Sequence, residues 1–87
     1  KTINMKIEQI KELADPHAIV WDGFDNAIIG IDTDGKIVYD TDKMESILVK
    51  RDNMTKEEAI EYLQFNVYCN YASEDLNPIH VTILNNK

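Results

Sequence analysis

Eighty-seven residues with 9 basic and 16 acidic side chains, a net charge of −7, accommodate one domain. An apolar fraction of 44% beside 29% charged residues belongs to a globular chain and argues against disorder. The acidity disfavours direct binding to nucleic acid, because phosphate neutralisation takes lysine and arginine, and the longest apolar run, "AIVW", is far short of the about 20 residues of a membrane span.

In chain order, "INMKIEQIKELA" sets Ile3, Ile7, Ile10 and Leu13/Ala14 at helical spacing and predicts an amphipathic helix over about 3–14. It should stop at Asp15-Pro16, because the residue before proline is pushed out of the helical region. "HAIVW" (17–21) is short, apolar and rich in strand formers, and predicts a strand. "DGFD" (22–25) comes next as a connection with turn chemistry at Asp22-Gly23.

"IDTDGKIVYDTD" (31–42) resembles a calcium loop at first sight. With Gly35 at loop position 6, Asp32 and Asp34 fall correctly at 3 and 5, but position 1 is Gly30 and position 12 is Thr41, so both key ligands are missing. A β-hairpin over about 26–40 explains the same residues better. A three-residue loop Thr33-Asp34-Gly35, with Gly35 left-handed, sets Asp32 opposite Lys36, Ile31 opposite Ile37 and Ile29 opposite Tyr39. One face then reads Ile29, Ile31, Ile37, Tyr39; a two-residue turn would mix charge into it.

"DKME" predicts Asp42 as N-cap, with Glu45 three residues on, for a helix over about 43–51 that buries Met44, Ile47 and Leu48. "MTKEEA" repeats the device, with Thr55 capping, Glu58 answering and Met54 packing on Ala59; its helix, about 56–68, should turn Ala59, Ile60, Leu63 and Val67 inward. "ASEDLNP" (72–78) reads as a loop and "IHVTIL" (79–84) as a last strand. The fold class expected is α+β: a small, mainly antiparallel sheet of 3–4 strands around the central hairpin, packed on one face by two to three helices.

Residues 15–42 hold seven aspartates (Asp15, Asp22, Asp25, Asp32, Asp34, Asp40, Asp42) against the single Lys36. Turns and caps account for many of them, and an acidic face also attracts a basic partner. Asp34-Gly35-Lys36, with Asp22 or Asp25 upstream, superficially copies the acid-x-lysine signature of metal-dependent nucleases, yet it sits at a hairpin tip instead of along a strand. His17 and His80 have no ligand-spaced neighbour on their own elements, and each is read as a surface or satisfied residue. Cys69 has no adjacent cation to lower its pKa and is read as a buried structural residue. No catalytic, metal or cofactor site is expected: there is no phosphate loop, Ser/His/Asp set or nucleotide fingerprint.

The segment "WDGFD" stands apart. Trp21 and Phe24 lie beside Asp22 and Asp25 in a short connection, either as anchors to the core or as a contact surface whose aromatics supply binding energy and whose acids select charge. Trp21, Asp22, Phe24 and Asp25 are the candidate partner-binding residues.

"AIVWDGFDNAIIGI", "IVYDTDKMESIL", "RDNMTKEEAIEYLQFN" and "PIHV", in that order over roughly 18–81, resemble a family of small uncharacterised proteins from tailed bacteriophages and prophages. The likeness includes Trp21, Asp22, Gly23, Phe24 and Asp25; Val38, Tyr39, Lys43 and Met44; Arg51, Asp52, Met54, Thr55, Glu58 and Ala59; Phe65, Asn66 and Pro78. Where the family has small residues and glycine after the "FN" pair, this chain has "VYCNYAS". The resemblance implies a viral origin and action in the cytoplasm of an infected bacterium, and brings no activity with it. With no signal-peptide pattern and one cysteine, a reducing compartment is the expectation on composition as well.

The function expected is that of an accessory phage protein that binds a host or viral protein, with inhibition of a host defence nuclease as one form. A structural or self-assembling viral component and, last, a small metal-dependent enzyme are the alternatives. No membrane or nucleic-acid partner is expected, and homo-oligomerisation stays open.

Overall fold

A computed structural model describes residues 2–69 and 76–84. Helix α1 (Thr2–Leu13) is followed by an irregular connection, a short 3-10 turn (Asp25–Ala27) and a hairpin of β1 (Ile28–Ile31) and β2 (Ile37–Asp40). Helices α2 (Thr41–Asp52) and α3 (Lys56–Leu63) come next; α3 widens into a π-helical turn (Gln64–Tyr68), and β3 (Ile79–Val81) completes the sheet. The fold is α+β, with strand order β1-β2-β3.

The hairpin tip forms as the turn chemistry requires. Gly35 takes a φ of +84°, Ile31 faces Ile37, and Asp32 N donates to Lys36 O at 2.9 Å. The Asp32 carboxylate turns back on its own loop, where Oδ1 accepts from Asp34 N (2.9 Å) and Lys36 N (2.8 Å). Asp32 is therefore a turn-forming residue.

Beyond the tip the register departs from expectation. Tyr39 pairs with Ile28 instead of Ile29, and the extra residue is taken up by a shift between Ile28 and Gly30. A bulge of this kind moves the following side chains to the other face. Ile28 joins the core at 6% exposure beside Ile37 and Tyr39, while Ile29 is half-buried.

The strand expected over 17–21 does not form. Asp15 makes a turn there, its Oδ1 accepting from His17 N and its carbonyl from Ala18 N. The residues after this turn are held by single bonds: Ile19 N to Leu76 O at 3.1 Å, and Trp21 N to the Tyr39 hydroxyl at 2.7 Å. The sheet is also mixed instead of mainly antiparallel. β3 runs parallel to β2, with Val38, Tyr39 and Asp40 opposite Ile79, His80 and Val81. Parallel neighbours require a long crossover, and α2 and α3 are that crossover. β3 ends at Val81, short of the expected residue 84, and residues 72–75 of the expected loop lie outside the described residues.

The caps explain where the helices start. Chain passes from β2 into α2 without a loop, so Asp40, and not Asp42, is the N-cap; its carboxylate accepts from Asp42 N (2.9 Å) and Lys43 N (3.4 Å) and is itself buried. α2 ends at Asn53, which adopts the left-handed conformation (φ 59°), a C-terminal device that asparagine tolerates. Thr55 and Glu58 form the expected capping box on α3.

One core joins these elements. Ala27, Ile37, Tyr39, Met44, Leu48, Ala59 and Leu63 are fully enclosed, with Ile7, Phe24, Ile28 and Val67 nearly so. Ile10, Ala14, Ile47 and Met54 pack against it from the side. Leu13, expected to share the inner face of α1 with Ala14, is exposed; the expected Ile3 contact lies outside the described side chains. Ile60 is half-buried at the edge of the inner face of α3. Among the described residues no helix is long and apolar enough to cross a membrane.

Candidate protein-binding surface

The 21–25 connection is anchored from several sides. Trp21 donates twice, from its backbone to the Tyr39 hydroxyl (2.7 Å) and from its indole Nε1 to His80 Nε2 (2.8 Å). His80 sits among three rings: Trp21 at 6.2 Å and nearly parallel, Tyr39 at 6.1 Å, and Tyr68 at 4.7 Å and tilted. These groups come from the connection, β2, the π turn and β3, so the cluster ties the loop to the crossover and the sheet together. Gly23, at φ +87°, makes the bend, and its carbonyl accepts from Arg51 of α2 at 2.9 Å. The same guanidinium lies 5.6 Å from the centre of the Phe24 ring and bonds Asp52 through two nitrogens. That pairing holds the Asp52 carboxyl below its usual range.

The four candidate residues therefore have different fates. Phe24 is 5% exposed and belongs to the core, so it has no side chain to offer a partner. Trp21 is half-buried and committed to His80. Asp25 is held by Lys11 of α1 at 2.7 Å. Asp22 is exposed, and among the described residues no hydrogen bond or ion pair engages its carboxylate. Asp22, Gly23, Asp25 and Asn26 line one side of a shallow, open groove of about 620 Å³; Ile47, Lys50 and Arg51 of α2 line the other. The groove is bordered by both charges around one apolar side chain. Such an arrangement suits recognition of a protein surface, with charge on the rim and apolar contact between.

Elsewhere the aspartates serve local structure. Lys36 Nζ lies 3.8 Å from Asp32 and 3.9 Å from Asp34, which offsets charge at the hairpin tip. Among the described residues no three His, Cys, Asp or Glu side chains are grouped as metal ligands. Cys69 is exposed, not buried as its type suggested. Sequence reading missed the outer face of α3 and its π turn, where Tyr62 and Phe65 are exposed. The signal was present: Ala59, Leu63 and Val67 face inward at intervals of four, which puts residues 62 and 65 on the other side.

The His80 contact gives a pH-dependent prediction. Burial pushes the His80 pKa below its ordinary 6.5, and only the neutral ring can accept the Trp21 proton at Nε2. The unfolded chain takes up this proton first, so the stabilisation is complete above pH 6.5 and is lost as pH falls through the depressed folded value. Urea unfolding followed by fluorescence of Trp21, the one tryptophan, should show stability level above pH 6.5 and declining as pH falls below it. His80→Gln, which keeps an acceptor without a titrating ring, should flatten that decline; an equal decline in both proteins would assign it to other groups.

Comparison with protein-family models, with curated proteins and with solved structures finds no match to this chain.

Proposed function

We propose that the chain is a small acidic accessory protein of a tailed bacteriophage or prophage, acting in the cytoplasm of the infected bacterium by binding another protein. The sequence blocks from "WDGFD" to "PIHV" support the viral assignment. The observation that carries the binding reading is the anchored 22–25 loop. It is fixed through Trp21, Gly23 and Phe24, and it presents the exposed carboxylate of Asp22 beside the groove against α2. A loop already held in shape loses little entropy on association, which leaves more of the contact energy for affinity.

The partner is a host or viral protein, and a host defence nuclease is one such target. Phosphate imitation by the hairpin tip contributes little to that target, because Asp32 and Asp34 share Lys36 and Asp32 is bonded to its own turn. Asp22, by contrast, is exposed, and among the described residues no hydrogen bond or ion pair engages its carboxylate.

The test is a photocrosslinking side chain placed at position 22, with the exposed position 12 on α1 as control, in host cells expressing the tagged protein. A protein captured from position 22, not from 12, and lost when Lys50 is replaced by glutamate supports the groove. Capture that is equal from both positions, or indifferent to Lys50→Glu, removes it.

A further inference from the structure

The second exposed feature lies where α3 passes into its π turn. Phe65 is 72% exposed and Tyr62 40%, three residues apart on a helix, where such side chains are neighbours. Leaving a phenylalanine in water forgoes the stabilisation that its burial would give. The inward set Ala59, Leu63 and Val67 fixes which side of the helix these rings occupy, and the enclosed core leaves them no place inside. Asn66 Nδ2 donates to Tyr62 O at 3.1 Å, bracing the backbone where α3 passes into its π turn. The rings stand on a braced segment.

They also line a groove. Met54, Tyr62 and Phe65 supply its apolar surface, with Glu58, Glu61 and Asn66 beside them, for a volume of about 480 Å³. Among the described residues no lysine or arginine lines it. Among the described residues no ion pair engages Glu57, Glu58 or Glu61. Glu58 is accounted for by the capping box and Glu57 by its place in the first turn. Glu61 lies beyond the first turn, beside the exposed rings, and the helix itself gives no reason for its charge.

We propose that this groove docks a basic segment of a partner protein that carries arginine beside an apolar side chain. Arginine matches both features of the groove. Its guanidinium stacks on an aromatic face and simultaneously pairs with a carboxylate, whereas lysine offers a hydrated point charge. Met54 and the ring edges take the apolar neighbour. A second copy of this chain is disfavoured as occupant, because each copy brings a net charge of −7. The α3 groove shares no lining residue with the groove at Asp22, so the two proposals stand or fall separately.

The probe is a short synthetic peptide alternating arginine and leucine, titrated by calorimetry beside an otherwise identical lysine peptide. The arginine peptide should bind the wild type more tightly than the lysine peptide, and Phe65→Ser or Glu61→Gln should each weaken it about tenfold. Phe65 and Glu61 are both exposed, so neither change endangers the fold; circular dichroism checks this. Asp22→Lys should leave peptide affinity within about twofold, apart from the general loss of negative charge that added salt screens. Equal affinity for wild type and Phe65→Ser, or no binding to the wild type, would overturn the proposal. So would sedimentation in which the wild type dimerises and Phe65→Ser does not, since a second copy would then cover the groove.

Discussion

Gly35→Ala is expected to destabilise the domain by about 3 kcal/mol, and Gly30→Ala, five residues earlier in the same hairpin, by no more than about 0.5 kcal/mol. At φ +84° a residue with a Cβ is strained by about 1–2 kcal/mol. The added carbon would also stand 2.8 Å from the Asp15 backbone nitrogen and 3.3 Å from its Cα, and a backbone cannot swing away as a side-chain end can. The approach is close because Asp15 N donates to Gly35 O at 2.9 Å, the bond that ties the end of α1 to the hairpin tip. Gly30 has nothing within 4 Å of the corresponding position. Against a total of about 4–13 kcal/mol for a domain of this length, the Gly35 effect is large. Urea midpoints of the two variants decide it. Equal midpoints would mean that the contact between Asp15 and the tip contributes nothing to stability.

The same glycine shows what was legible in the sequence. Its left-handed turn, the Asp32–Lys36 pairing and the Ile31–Ile37 pairing are dictated by a few adjacent residues, because turn chemistry is local. The capping box at Thr55 was legible for the same reason. Two aspartates competed for the cap of α2, and the spacing to Glu45 favoured Asp42; Asp40 takes the role because β2 runs straight into the helix, which no local pattern announces. The bulge was illegible because Ile28 and Ile29 are identical side chains. Periodicity cannot choose between them, and tertiary packing does, with Ile28 in the same buried cluster as Phe24, Ala27 and Tyr39.

The 17–21 segment misled through composition. Its β-branched residues look like a strand, but a strand needs a partner along its length, and among the described residues this segment is tied to distant ones by a backbone bond to Leu76 and one to a tyrosine hydroxyl, with no ladder. The parallel pairing of β3 was in principle readable, since two helices stand between β2 and β3 and parallel neighbours need such a connection. For the candidate surface, the aromatics of "WDGFD" could be found by type, and their direction could not. Phe24 faces the core and Trp21 faces His80, a residue 59 positions away in sequence that no local window connects with it.

That distant anchoring meets at Tyr39, whose replacement by phenylalanine is the second large effect expected. The ring is wholly enclosed, and its hydroxyl accepts the Trp21 backbone proton at 2.7 Å. Phenylalanine keeps the shape and leaves that donor without its partner, at a cost of about 1–2 kcal/mol near neutral pH. Alkali reverses the comparison. Burial first, and the charge of Asp25 to a lesser degree, push the Tyr39 pKa from 10.0 up to about 12, against the opposing pull of the Trp21 hydrogen bond. The unfolded chain therefore releases this proton before the folded one does. The stability linked to it is complete below pH 10.0 and is lost as pH rises toward about 12, a loss on the order of 3 kcal/mol. Tyr39→Phe has no such proton to lose. Tyr68, also raised to about 12 mainly by burial, remains in both proteins and contributes equally to both. Stability curves of wild type and variant should thus converge as pH rises above 10.0, with tyrosinate absorbance marking the ionisation. Curves that stay parallel would show that the Tyr39 hydroxyl is reached by water, and that the loop carrying Asp22 is held by Trp21 and His80 without it.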